Sequence, residues 1–296
     1  MYSSLNSYSE DISIQKTFLI FLAESHWCYE AQVCSMGCKG PRNWKHIYSE
    51  CDGLQQSPVN IKTKNTTYNS LLRPFQFKGY NVTHTLPITN NGHSVQVDLP
   101  TQAHISGGGL SGVYKAKQLH FHWGSAGVAG SEHTVDGERY LMELHVVHRR
   151  NAMKEENISI SNEDLAVLGF FFEESENDNE NYTALINTIV TIPHKGDTTC
   201  LNLTLQEFIP EPKDLALYYR YQGSLTTPPC SEIVTWTLFT KTIKLSRRQF
   251  QAIYTSLYYH GNMSMVENFR PVNKLGARHV FTSDSRALVS ILCGYV

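Results

Sequence analysis

Short runs in which apolar and polar positions alternate recur along the chain between turn residues. Ser94–Leu99, Ala116–Trp123, Arg139–His148, Leu165–Glu173 and Ile233–Leu245 are rich in β-branched and aromatic residues. Each reads as a strand bounded by turn formers. Helical spacing is rarer and confined to Thr183–Ile192, Leu203–Phe208 and Arg247–Leu257. No internal repeat is visible, and no Pro/Gly/Ser-rich linker divides the chain between about residue 25 and residue 285. The acidic, Asn-rich patch 173–181 reads as a loop. The pattern predicts a single mainly β (α+β) domain, built on a large, mostly antiparallel central sheet with short peripheral helices.

Composition narrows the function. Of the 296 residues, 41% are hydrophobic and 18% charged, which supports a large core and excludes a disordered chain. The net charge of −2 argues against nucleic acid as a partner held by bulk charge. No apolar run reaches the roughly 18 residues of a membrane span, so a multi-span protein is excluded.

The ends point to export. Thr17–Ala23 resembles the apolar core of a secretory signal, although Glu10 and Asp11 precede it with only Lys16 as a base. Asn-x-Ser/Thr sequons stand at Asn65, Asn81, Asn157, Asn181, Asn202 and Asn262, as expected of a glycosylated surface. The seven cysteines show no paired CxxC zinc pattern, so disulfides are their expected use, with at least one thiol left over unless Cys293 is removed. The apolar tail that follows Ser283-Asp284-Ser285 reads equally as a lipid-anchor signal and as a last β-strand or truncated tail. These features divide the chain into a tail and signal at 1–23, a domain at 24–283 and a short apolar tail at 284–296.

Thirteen histidines need explaining. In Gln118-Leu-His120-Phe-His122-Trp123, strand alternation puts His120 and His122 on one face, about 6.5 Å apart. In Glu143-Leu-His145-Val-Val-His148, Glu143 and His145 share a face, whereas His148 is out of phase with them. If the two runs pair antiparallel, His145 completes a three-imidazole site, the donor set of catalytic zinc with one open position. Gln118 and Glu143, each two residues before a ligand, can accept its other N–H. Read alone, such histidines could instead be core residues. His133 and His148 are expected to be structural.

These residues and their surroundings resemble the α-class carbonic anhydrases over roughly residues 25 to 283. The resemblance rests on Ser25-His-Trp-Cys-Tyr29, Gln56-Ser-Pro-Val-Asn-Ile61, Asn90-Asn-Gly-His93, Gln118–Trp123, Gly130-Ser-Glu-His-Thr-Val-Asp136, Glu143-Leu-His145, Tyr221–Cys230 and Asn268-Phe-Arg-Pro271. Within the family it is most similar to the extracellular, membrane-anchored type IV and XV branch. The resemblance implies a twisted sheet of about ten strands with zinc in a conical cleft. It also implies Cys28–Cys38 and Cys51–Cys230 disulfides, with Cys28–Cys34 as an alternative for the first. Cys34, Cys200 and Cys293 have no counterpart.

For function, the resemblance implies a carbonate dehydratase, a zinc lyase that hydrates carbon dioxide reversibly to bicarbonate and a proton by attack of zinc-bound hydroxide. His120, His122 and His145 match the zinc ligands. Gln118, Glu143 and the Asn268 carbonyl match the partners of His120, His145 and His122. Thr226 matches the gate whose hydroxyl donates to Glu132. Val147, Val167, Leu225, Thr227 and Trp236 match the substrate pocket. His93 matches a proton shuttle titrating near neutrality, with Tyr29 and Asn91 ordering its waters. Gln96 stands where many members have Asn. A catalytically silent binding module would lack a zinc histidine. Zinc hydrolases of other classes would show a His-Glu-x-x-His helix or a Gly-x-Ser-x-Gly elbow, and neither is present.

Overall fold

The computed structural model describes residues 26–33, 37–151 and 165–287. The apolar N-terminal stretch, Cys34, the Asn157 sequon, and the tail beyond Ala287 with Cys293 lie outside the described residues. Fifteen strands are present among the described residues. The first six are β1 (Asn60–Ile61), β2 (Thr67–Tyr68), β3 (Phe75–Lys78), β4 (Thr83–Asn90), β5 (Val95–Asp98) and β6 (His104–Gly107). Next come β7 (Tyr114–Trp123), β8 (Thr134–Val135), β9 (Glu138–Arg139), β10 (Met142–Arg150) and β11 (Leu165–Ser175). The last are β12 (Thr198–Thr204), β13 (Tyr218–Gly223), β14 (Val234–Ser246) and β15 (Phe281–Thr282). Two α-helices, α1 (Glu180–Ile189) and α2 (Arg247–Ser256), lie among them.

Twelve strands form one sheet, in the order β12-β4-β5-β7-β10-β11-β14-β13-β15-β2, with β3 and β6 branching from β7. Only the β11–β14 and β15–β2 pairs in it are parallel. Position in the sheet explains the sequence pattern. The edge strand β12 and its neighbour β4 alternate between exposed and buried residues. The central strands β10 and β11 are covered on both faces, so seven consecutive residues of each are buried and the alternation disappears.

The helices pack Tyr182, Leu185, Ile186, Ile189, Phe250 and Ile253 inward. Ser246 caps α2 by accepting from the Gln249 N–H at 3.1 Å. Gln249 Oε1 also accepts from the Asn179 N–H at 2.8 Å, tying the start of α1 to α2.

Most predicted elements are present with shifted ends. Arg139–His148 is not one strand: Glu138–Arg139 belongs to β9, and β10 begins at Met142. Leu203–Phe208 is not a helix. Its first two residues finish β12, and Leu205–Phe208 is a single 3-10 turn. The backbone pairing of Leu203 and Thr204 with β4, which continues a ladder begun at Thr198, favours extension. Cys28–Cys38 and Cys51–Cys230 are bonded, and Cys200 is free and exposed. No helix among the described residues is long and apolar enough to cross a membrane.

Candidate metal centre and active site

The antiparallel register of β7 and β10 sets His145 opposite His120 and Glu143 opposite His122. Pairing converts two distant motifs into one cluster. His145 Nδ1 lies 3.3 Å from His120 Nε2 and 3.1 Å from His122 Nε2. The far nitrogen of each ring already has an oxygen partner. His120 Nδ1 donates to Gln118 Oε1 at 2.8 Å, His122 Nδ1 to the Asn268 carbonyl at 2.8 Å, and His145 Nε2 to Glu143 Oε1 at 2.7 Å. A neutral imidazole has one N–H. Its use on the outer side leaves a lone pair on each inner nitrogen.

The three inner nitrogens therefore cannot hydrogen-bond to one another, and their lone pairs repel unless a cation lies between them. Tetrahedral zinc with Zn–N bonds near 2.05 Å places its ligand nitrogens about 3.3 Å apart, which these separations match. The donor set is free of thiolate and fits zinc. Burial holds His120 well below its ordinary pKa, and His122 and His145 push it the same way. Burial also lowers His122, against the upward pull of Glu132. Both rings are thus kept in the neutral, ligating form. Burial alone would raise Glu143, but His133 and His145 outweigh it and hold the carboxyl well below the usual range.

The supporting shell extends further than the motifs indicate. Glu143 Oε2 accepts the backbone N–H groups of Glu132 and His133 at 2.9 and 2.8 Å. Its Oε1 accepts from His133 Nδ1 at 2.7 Å, and His133 Nε2 lies 2.6 Å from the Tyr221 hydroxyl, which meets Ser57 Oγ at 2.8 Å. His133 is structural, as expected, but its place in this chain was not read from the sequence. The usable signal was its adjacency to Glu132. Gly169 was also missed. It pairs with His145 on β11, and a Cβ there would lie 2.4 Å from Leu238 Cδ2 and 3.3 Å from Glu143 Oε1.

Glu132 is fully buried, and Oε1 accepts the Arg270 backbone N–H at 2.8 Å. Oε2 lies 3.4 Å from His122 Nε2 and has no hydrogen-bond partner. The expected Thr226–Glu132 hydrogen bond is therefore not formed, because this oxygen is turned toward the imidazoles. Thr226 is buried in the loop before Cys230, which the disulfide to Cys51 pins. Nearby, the Ser224 carbonyl accepts from Trp236 Nε1 at 3.0 Å.

Val147, Val167 and Trp236 lie in one row across β10, β11 and β14, and belong with Leu225 to one apolar cluster. The Trp236 ring centroid is 4.7 Å from that of His145. The structure so gathers the imidazoles and an apolar wall. Thr227 is half-buried in the Thr226 loop.

His93 occupies the turn between β4 and β5. Gly92 takes φ +84° there, and Asn91 Oδ1 accepts the N–H groups of His93 and Ser94 at 2.9 and 2.8 Å. The ring stacks on Trp27, with centroids 3.8 Å apart and planes at 15°. Burial, followed by Lys195, lowers its pKa to about 4. This corrects the expectation of titration near neutrality: the ring is packed, and Nδ1 is buried without a partner. Tyr29 is buried with its ring centroid 6.3 Å from that of His93. Gln96 pairs with His120 and donates its amide to Asp98 at 2.9 Å.

Comparison with known proteins agrees with this geometry. A family model for eukaryotic-type carbonic anhydrase matches residues 39–284. The chain is 41% identical to carbonic anhydrase 4 of Oryctolagus cuniculus over 266 residues, covering 88% of this chain and 85% of the relative. It is 37% identical to carbonic anhydrase 12 of Homo sapiens over 281 residues, covering 91% and 76%. It is 38% identical to carbonic anhydrase 6 of Bos taurus over 264 residues, covering 87% and 80%. Family match and imidazole geometry lead to one conclusion: the chain belongs to the eukaryotic-type carbonic anhydrases and is an enzyme of the carbonate dehydratase class.

Proposed function

We propose that the chain hydrates carbon dioxide reversibly to bicarbonate and a proton, with zinc held by His120, His122 and His145. The observation that carries this reading is the convergence of three inner nitrogens whose outer N–H groups are all committed to oxygen. When bound, zinc supplies a water acidified to a pKa of about 7 as the nucleophile, a figure general to this family and not a result of this structure. Gln118, Glu143 and the Asn268 carbonyl keep the imidazoles in the ligating tautomer. Val147, Val167, Leu225, Thr227 and Trp236 form the wall against which the apolar substrate rests.

Thr226 and Glu132 orient the attack, the unpartnered Glu132 Oε2 serving as acceptor for the Thr226 hydroxyl. Once its ring leaves Trp27, His93 takes the released proton through waters ordered by Tyr29 and Asn91, and passes it to solvent.

The same reading extends to place. Residues 1–23 act as an export signal, 24–283 form the enzyme, and 284–296 act as the apolar signal that is removed when a lipid anchor takes its place. The two disulfides support an oxidising compartment. The exposed sequon residues Asn65, Asn81, Asn181, Asn202 and Asn262 are open to glycosylation.

The test is zinc content and stopped-flow carbon dioxide hydration on the same sample. We expect one zinc per chain and fast hydration, with both lost in His120→Ala. Retained zinc and full activity in that variant would overturn the ligand assignment.

A further inference from the structure

The ladder between β15 and β13 ends at Arg220. Beside the edge of β13 that continues past it lies a cavity of about 710 Å³, within the size range of small-molecule sites. Leu71, Leu72, Leu110 and Phe281 give it an apolar wall, and Arg220 and Arg278 give it two guanidinium groups. Among the described residues no aspartate or glutamate lines it.

Arg220 is only 6% exposed. Its Nε and Nη2 donate to Thr237 Oγ1 at 3.1 and 2.9 Å, and Nη2 also donates to the Gly108 carbonyl at 2.9 Å. Among the described residues Nη1 has no hydrogen-bond partner, and no carboxylate pairs with the group. The rings of Phe75 and Tyr218, 5.8 and 5.7 Å away, attract the cation without cancelling its charge. Arg278 spends its nitrogens on the carbonyls of Leu275, Gln222, Gln56 and Lys274, and among the described residues no carboxylate forms an ion pair with it, Glu232 acting on it only from a distance.

A guanidinium this deeply buried normally meets a counter-charge, because desolvation is otherwise uncompensated. The carbon dioxide chemistry does not account for it. Register pairs Arg220 with Thr237, one residue out of phase with Tyr221 and Trp236, so it points away from the imidazole face.

We propose that this cavity binds an amphipathic monocarboxylate. The carboxylate pairs with Arg220 Nη1, and the hydrocarbon body lies along Leu71, Leu72, Leu110 and Phe281. One free guanidinium nitrogen suits a monoanion, and the apolar wall disfavours a fully hydrated ion such as phosphate.

The probe is octanoate, titrated calorimetrically into the full zinc-loaded chain, with octanol and inorganic phosphate as comparisons. Octanoate is expected to bind one per chain, at least about tenfold more tightly than either comparison. Arg220→Gln should weaken it by about tenfold or more. Leu71→Glu, at a position 70% exposed and so tolerant of charge, should weaken it similarly by repulsion and decides the matter if Arg220→Gln fails to fold. Octanoate binding no tighter than octanol or phosphate overturns the proposal. So does affinity unchanged in the variants.

Discussion

His93 shows how one ring can be legible as a motif and illegible as a titrating group. Asn90-Asn-Gly-His93 announces a turn with an imidazole at its tip, and the turn is formed by the two asparagine side chains. The stacking partner, Trp27, is remote in sequence, so nothing local foretold that the ring would be covered. With a pKa of about 4, the ring is protonated in only about one molecule in a thousand at pH 7. Efficient proton transfer then requires it to leave Trp27 or gain water. Trp27→Ala should raise the His93 pKa by at least about one unit toward its ordinary value, because it removes burial, the larger cause of the shift. An NMR titration of the ring C–H signals reads this directly, and an unchanged midpoint would remove Trp27 from the account. The clustered histidines are far more legible, since His-x-His in a strand and Glu-x-His in another are local signals.

At the level of elements, alternation located the strands but not their neighbours. The proposed metal site depends on register, because a one-residue slip of β10 against β7 would turn His145 away from His120. What the sequence concealed was the third strand. Gly169 reads as one small residue in an apolar run, yet its missing side chain lets Leu238 and Glu143 close behind His145. Gly169→Ala should cost roughly 1 to 3 kcal/mol in urea unfolding, because Leu238 is fully buried and has little room to yield. Displacement of Glu143 should also lower zinc affinity by about 10- to 100-fold. An unchanged unfolding midpoint and zinc affinity would show that the contact is dispensable. The misread segment Leu203–Phe208 has the same origin, since pairing with β4 outweighs a short helical pattern.

For the whole molecule, buried histidines set a limit in acid. His148 is fully buried; its Nδ1 donates to the Ala166 carbonyl at 3.3 Å, and its Nε2 lies 2.6 Å from the Tyr80 hydroxyl. Burial lowers its pKa to about 4. A depressed histidine favours the folded state while neutral, so its contribution is complete above about pH 6.5 and is lost as pH falls toward 4. A displacement of that size corresponds to about 3 kcal/mol. The urea midpoint should therefore fall between pH 7 and pH 4.5, and less steeply in His148→Gln; equal slopes would exonerate this histidine. Glu143, held well below the usual carboxylate range, adds its loss only at lower pH. The Cys51–Cys230 bridge spans 179 residues, a loop whose closure is worth about 5 kcal/mol in the chain-entropy model. It also turns that stretch into a covalent ring holding His93, His120, His122, Glu132, His145 and Thr226. A protease that cuts the ring once leaves a single molecule of unchanged mass apart from one added water. Such nicked enzyme would run as one band on a non-reducing gel and as two after reduction, so damage to the site's own backbone would pass unseen until a thiol is added.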